Sequence, residues 1–305
     1  MDNARTAVVF VNRLAGAGRA ARKIAEVQAA FRERGVPAEF PAADSTEQFR
    51  REVRLALAAG RKTLVAMGGD GTLQLLVREA LGSAVDFGVI PCGGGNDFAA
   101  ALGIRGSKQA VEVIGGGRCR QVDVLRVRFP DGEETAYLGG GGVGLDAEAA
   151  RHASGRFRRW PGRWRYLASA VRALCWYPGV AVEAEFPGSQ LPGIRQRALL
   201  AAVLNTSSYG GGLHLAPDAR LDDGMLEFVM VGMLGRAQVI RSLFWLMATG
   251  ELRAAQKERR QARSVRLLAP PGALFHGDGE ILGKLPLEIE VLPRAVSMLA
   301  PARPG

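Results

Sequence analysis

Thr63-Leu64-Val65-Ala66-Met67-Gly68-Gly69-Asp70-Gly71-Thr72 and, one helical stretch later, Phe87-Gly88-Val89-Ile90-Pro91-Cys92-Gly93-Gly94-Gly95-Asn96-Asp97-Phe98 decide the fold. Each is an apolar run that empties into glycines, the pattern of a buried strand ending in a turn. One strand–helix unit separates them, so in a parallel α/β sheet both turns lie side by side at the carboxyl edge. Glycine lets backbone approach a ligand, and free N–H groups at a turn or helix start favour phosphate. Asp70 and Asp97 add the carboxylates that magnesium–nucleotide chemistry requires. The stretch reads as a nucleotide phosphate site.

Upstream, Ala7–Val11 is a short buried strand ending at Asn12-Arg13-Leu14-Ala15-Gly16-Ala17-Gly18. No Gly-Lys-Ser/Thr follows, so this is not a Walker A loop. Helical spacing from about Arg19 to Arg34 closes at Gly35, a strand spans Val36–Phe40, and Ser45 with Gln48 forms a capping box for a second helix. Downstream, Ser107–Ile114 is a helix. The period then falls to two in Val122–Phe129, Val180–Phe186, Gly224–Val231 and Leu285–Val291. In the last, Leu285, Leu287, Ile289 and Val291 share one face, with Glu288 and Glu290 on the other. The chain therefore divides into an α/β nucleotide domain over 1–125 and an antiparallel β-rich domain over 126–286. The cleft between them is the expected substrate site. Gly139–Gly144 contains G-x-G-x-x-G, but outside a βαβ unit it reads as a tight turn feeding Asp146.

The 305 residues, 48% hydrophobic and 23% charged, suit a globular protein. No apolar stretch reaches membrane-spanning length, and the N-terminus reads as a first strand without a secretory signal. Cys92, Cys119 and Cys175 lack metal or disulfide spacing, as expected of reduced thiols in a cytoplasmic protein. The net charge of +10 suits an anionic partner, although a GC-rich genome also enriches arginine. Residues 151–177 interleave seven arginines with Phe157, Trp160, Trp164, Tyr166, Trp176 and Tyr177. Two readings stand: a peripheral surface for the anionic inner membrane face, or a helix that packs its aromatics and solvates its arginines. No nucleic-acid motif occurs. Asp218, Asp222, Asp223 and the Gly277-Asp278-Gly279-Glu280 turn are acidic turns that could hold a cation or only solvate a hairpin.

Taken in order, these stretches resemble the diacylglycerol kinase-like lipid kinases, especially the bacterial single-unit members. Gly68-Gly69-Asp70-Gly71-Thr72 is similar to the family's G-G-D-G-T loop, and Pro91–Ala99 to its P-x-G-T-x-N-D-F-A segment. Gly142–Ala147 is similar to G-x-G-x-D-A, Gly210–Gly224 to G-G-G…A-P-x-A…D-G, and Asp278-Gly279-Glu280 to D-G-E. The resemblance implies an NAD kinase-like nucleotide domain, a β-sandwich lipid domain, and a C-terminal segment (about 287–300) returning to the first domain. It implies γ-phosphoryl transfer from ATP, with Mg2+, to the hydroxyl of diacylglycerol or a related lipid alcohol. By the same resemblance Asn12, Gly68, Gly69, Asp70, Gly71, Thr72, Gly93, Gly94, Asn96, Asp97 and Glu280 serve the nucleotide. Asp278 is the expected base, with Asp70 its rival. Asp223 with the Arg220 and Met225 carbonyls would hold a structural magnesium. Arg13, Ala42, Leu75 and Gly94 depart from the family pattern. An NAD kinase and a non-catalytic lipid- or nucleotide-binding protein are the competing readings. An exposed strand edge in the second domain could pair two copies into a homodimer.

Overall fold

The computed structural model describes residues 6–13, 15–144, 177–233, 238 and 257–302. The chain forms two compact units. The first comprises residues 1–124, 221–223 and 292–305, and the second residues 125–220 and 224–291. Leu145-Asp146-Ala147 and residues 151–176, including Cys175, lie outside the described residues.

The first unit is built on parallel strands. They are β1 (Ala7–Val11), β2 (Ala38–Glu39), β3 (Thr63–Gly68) and β4 (Asp86–Pro91), ordered β2-β1-β3-β4. Val8, Val9, Phe10, Leu64, Val65, Ala66, Met67 and Ile90 are all buried, as strands covered on both faces require. The second strand is shorter than the Val36–Phe40 run suggests, because only Ala38 and Glu39 pair with β1. Helix α1 (Ala15–Glu33) starts earlier than the charge pattern suggests, inside the first glycine turn. Helix α2 (Thr46–Ala58) is capped by Ser45, whose Oγ accepts from Gln48 N at 3.2 Å. The return bond is shifted by one residue, with Asp44 N donating to Gln48 Oε1 at 2.8 Å. Helices α3 (Asp70–Ala80), α4 (Asp97–Ala101) and α5 (Ser107–Gly116) follow. Strand β5 (Cys119–Arg128) starts in this unit and ends in the other.

The second unit is β-rich, with β6 (Glu134–Tyr137), β7 (Gly140–Gly144), β8 (Val180–Glu185), β9 (Ile194–Leu204), β10 (Ser208–Tyr209), β11 (Leu213–His214), β12 (Leu226–Gly232), β13 (Lys257–Ala262), β14 (Ser264–Leu268), β15 (Leu274–Gly277) and β16 (Glu280–Lys284). The last strand, β17 (Leu287–Leu299), pairs antiparallel to β14 through Leu287–Glu290. Its later residues belong to the first unit, where Ser297 and Met298 run parallel to Asp86 and Phe87 of β4. Leu287, Ile289 and Val291 are buried as the alternation requires. Glu288 pairs with Arg266, and Glu290 with Arg126 and Arg128.

Two readings change. Strand β12 does not alternate between core and solvent; it is buried throughout. Leu226, Phe228 and Met230 enter one apolar cluster, and Val229 and Val231 another on the opposite face. Gly140–Gly144 is not a tight turn but a buried strand, β7, paired with β9 and β15. A Cβ at Gly141 would stand 2.6 Å from Phe275 Cζ and 2.7 Å from the His276 carbonyl oxygen. The glycines here make room for a neighbouring strand and ring.

Within β12, Glu227 is buried and accepts from Arg259 Nε at 2.8 Å, while Arg259 Nη1 donates to Asp218 at 2.8 Å. Removing the cation would leave a buried carboxylate uncompensated, at a cost of about 3 kcal/mol. Arg259→Met is expected to lower the thermal midpoint of the second unit by roughly 6–12 °C. Adding Glu227→Gln is expected to restore much of that loss. A midpoint unchanged in the single variant would contradict this role.

Candidate functional site

Three glycine turns follow the carboxyl ends of β1, β3 and β4, and their contacts are made by backbone. Gly93 is buried, and a Cβ on it would stand 2.4 Å from Gly69 Cα and 2.8 Å from Asn96 Oδ1. Cys92 N and Gly93 N both donate to the Gly68 carbonyl, at 2.7 and 3.1 Å. These glycines therefore first let one turn lie on the other. Gly94 is exposed, with nothing within 4 Å of a Cβ, and faces open space. Arg19, in α1, donates from Nη2 to the Gly93 carbonyl at 2.6 Å. Asn12 Nδ2 donates to Thr72 Oγ1 at 3.2 Å, joining the first turn to the second.

Asp70 fastens the arrangement. Its Oδ2 accepts from Asp97 N and its Oδ1 from Phe98 N, both at 3.1 Å. The first N–H groups of α4 are thus capped from α3, while α3 itself opens at Gly69 and Asp70 with no side-chain cap. The N-terminus left for an anion is that of α3, with Gly71 in its first turn. Asn96 takes a left-handed conformation (φ 62°) and exchanges two hydrogen bonds with Gly93, its Oδ1 accepting from Gly93 N and its Nδ2 donating to Gly93 O. Asp97 opens α4, partly exposed. Cys92 is buried, which pushes its thiol up and leaves it unreactive.

Burial also raises the Asp70 carboxyl above its ordinary value, against the lowering effect of the Phe98 amide and with the Asp97 charge adding to the rise. The folded protein therefore holds this proton to higher pH than the unfolded chain. The stability it contributes is full below the ordinary value of 3.8 and is lost as pH rises through the folded value. Asp70→Asn removes that dependence. Denaturant titrations from about pH 4 upward are expected to show a shallower decline for the variant than for the parent. Parallel profiles would contradict it.

In the second unit, Asp278 sits on the β15–β16 hairpin with φ 46°, a strained conformation for a side-chain-bearing residue. The residue is 9% exposed. Oδ2 accepts from Leu138 N at 2.7 Å, and Oδ1 accepts from Gly139 N and Gly140 N at 3.0 Å. Asp278 N donates to the Gly140 carbonyl at 2.9 Å. A Cβ at Gly139 would fall 2.9 Å from Asp278 Oδ1, so only glycine admits the carboxylate there. Asn205 supports the same turn, with Nδ2 donating to the Leu138 carbonyl at 3.0 Å and N to the Gly139 carbonyl at 2.7 Å. These backbone N–H groups hold the carboxylate in one orientation. Glu280 is exposed at the start of β16, on the same hairpin.

The Arg220–Met225 turn carries Asp222 and Asp223. Arg120 pairs with Asp222, and Asp123 N donates to the Leu221 carbonyl at 2.6 Å. Asp223 is exposed, and Gly224 (φ 73°) closes the turn. Among the described residues, no three or more His, Cys, Asp or Glu side chains gather as a metal cluster. One exposed carboxylate with the Arg220 and Met225 carbonyls is a different, all-oxygen set, and its chemistry fits a hard divalent cation.

The structure thus brings Asn12, Gly68, Gly69, Asp70, Gly71, Thr72, Gly93, Gly94, Asn96 and Asp97 together in the first unit, and Asp278 with Glu280 on one hairpin of the second. Sequence reading missed Arg19, Leu138, Gly139 and Asn205. Only Gly139, in a glycine run, carried a signal.

Residues 6–127 match the family described as the diacylglycerol kinase catalytic domain, and residues 141–300 match the YegS C-terminal NAD kinase beta sandwich-like domain. A protein of Pseudomonas aeruginosa PAO1 named "Probable lipid kinase YegS-like" is 30% identical over 301 residues, covering 90% of this chain and 94% of that protein. The diacylglycerol kinase of Mycobacterium tuberculosis H37Rv is 27% identical over 295 residues, covering 96% and 94%. The crystal structure of a diacylglycerol kinase from Bacillus anthracis superposes with a TM-score of 0.71 at 17% identity, covering 98% of this chain and 97% of that one. It shares the fold.

Proposed function

We propose that this chain, which belongs to the family of lipid kinases that join a diacylglycerol kinase catalytic domain to a YegS-type β-sandwich domain, transfers the γ-phosphoryl group of ATP to the hydroxyl of diacylglycerol or a closely related lipid alcohol. The observation that carries this reading is the Asp278 carboxylate, held by three backbone N–H groups on a strained turn.

The first unit binds the nucleotide. The uncapped start of α3 takes phosphate oxygens on backbone N–H groups. Asp70 acts as a positioning residue, because both its oxygens brace the third turn, at the start of α4. Asp97 is the carboxylate for the cation that accompanies ATP, and Asp223 with the Arg220 and Met225 carbonyls holds a second, structural one. Mg2+, when bound, supplies positive charge that neutralises the phosphates. The lipid hydroxyl oxygen forms a bond to the γ-phosphorus, the bond to the β-phosphate oxygen breaks, and ADP leaves. The hydroxyl proton passes to Asp278. In a loose transition state this transfer is late, so a weak carboxylate base suffices and orientation contributes most of the effect. No helix among the described residues is long and apolar enough to cross a membrane, and lipid would be met at a membrane surface.

The test is incubation with γ-labelled MgATP and mixed micelles of diacylglycerol, monoacylglycerol, phosphatidylglycerol, ceramide or a sphingoid base. Label in the diacylglycerol product is expected. Label in another lipid would reassign the substrate, and label in none would overturn the reading.

A further inference from the structure

A cavity of about 410 Å³ in the first unit is lined by Arg118, Cys119, Arg120, Gln121, Asp222 and Arg294, with Ala300 and Pro301. None of these residues belongs to the glycine turns. Ser297 is in register with Asp86, the first residue of β4, and Arg294 precedes it. Arg294 therefore lies toward the amino edge of the parallel sheet, while Pro301, at the other end of the groove, lies beside Gly103 just after α4.

Its lining is rich in arginine. Arg120 is paired with Asp222, its Nε at 3.2 Å from Oδ2 and its Nη2 at 3.1 Å from Oδ1. Arg118 and Arg294 are exposed, and among the described residues neither has a carboxylate partner. Three guanidinium groups and the Asp222 carboxylate thus line a concave site of the size that small ligands occupy, with the Asp86 carboxylate beside Cys119.

The backbone carries an independent sign of function. Arg294 has φ 52°, where glycine or asparagine would be relaxed and an arginine is strained. The conformation is fixed by Asp123, a fully buried carboxylate whose Oδ1 accepts from Arg294 N at 2.7 Å. A buried acid thus holds an arginine where a smaller residue would fit without strain.

We propose that this groove binds a phosphorylated anion, a phosphate mono- or diester, at a site separate from the nucleotide turns. Planar guanidinium forks match phosphate oxygens in pairs, and Arg118 and Arg294 are the groups available to do so. The ligand is either a small phosphate ester in solution or a phospholipid headgroup.

Cys119, an exposed thiol in the groove, reports occupancy directly. Its alkylation by iodoacetamide is followed by peptide mass spectrometry, at matched ionic strength, with inorganic phosphate, glycerol 3-phosphate, sodium chloride, phosphatidic acid in phosphatidylcholine vesicles, or phosphatidylcholine vesicles alone. At about four times the dissociation constant a bound anion slows the reaction about fivefold. Protection by the soluble phosphates identifies a free ester, and protection by the phosphatidic acid vesicles alone identifies a headgroup. Arg294→Gly removes the guanidinium and relieves the backbone, so its fold is kept, and it is expected to abolish protection, as is Arg118→Ala. No protection by any phosphate-bearing probe, equal protection by chloride or neutral vesicles, or protection undiminished in both variants would overturn the proposal.

Discussion

Asp278→Asn is expected to lower kcat for lipid phosphorylation about 10³-fold while leaving MgATP affinity within about threefold of the parent. Asparagine tolerates the left-handed backbone at φ 46°, so the hairpin keeps its path. Only one of its side-chain atoms can accept, whereas Leu138, Gly139 and Gly140 all present donors to this carboxylate. The amide nitrogen then faces an N–H group, at a cost of about 1–3 kcal/mol to the second unit. The nucleotide turns lie in the first unit and do not share those bonds. Equilibrium binding of MgATP alongside steady-state transfer separates the two effects. Transfer within tenfold of the parent would remove Asp278 from the chemistry.

Gly93→Ala is expected to weaken MgATP binding by about 100-fold, whereas Gly94→Ala changes it little. The added methyl at 93 would stand 2.4 Å from Gly69 Cα, a backbone atom that no side-chain rotation can move. The turns must part, and the Gly93 bonds to Gly68 and Asn96 go with them. Asp70 then loses its hold on α4. The same methyl at 94 meets nothing within 4 Å. Calorimetric titration of both variants with MgATP checks the pair. Equal affinities would mean that the contact between the turns is incidental to binding.

The parallel sheet and both glycine turns were legible because apolar runs ending in glycine report directly on buried parallel strands. The second unit was less legible. Strand β12 is buried on both faces, so its period of two does not separate core from solvent. Strand β7 is nearly all glycine, and glycine serves a strand threaded past Phe275 as well as it serves a turn. At the site, aspartates at 70 and 278 were visible as acidic residues in turns. Their partners were not, because both carboxylates bind backbone N–H groups, which every residue but proline carries and no sequence pattern marks. For the same reason Asp70 reads as a rival base in sequence and as a brace in the structure.

The most direct measurement is the stoichiometry of ADP released to lipid phosphate formed, with and without a lipid alcohol. ADP is expected only with the lipid, one for one with phosphorylated product. ADP formed without any acceptor would mark a hydrolase, and none formed with any lipid would mark a binding protein on a kinase scaffold. Either result would contradict the proposed kinase activity.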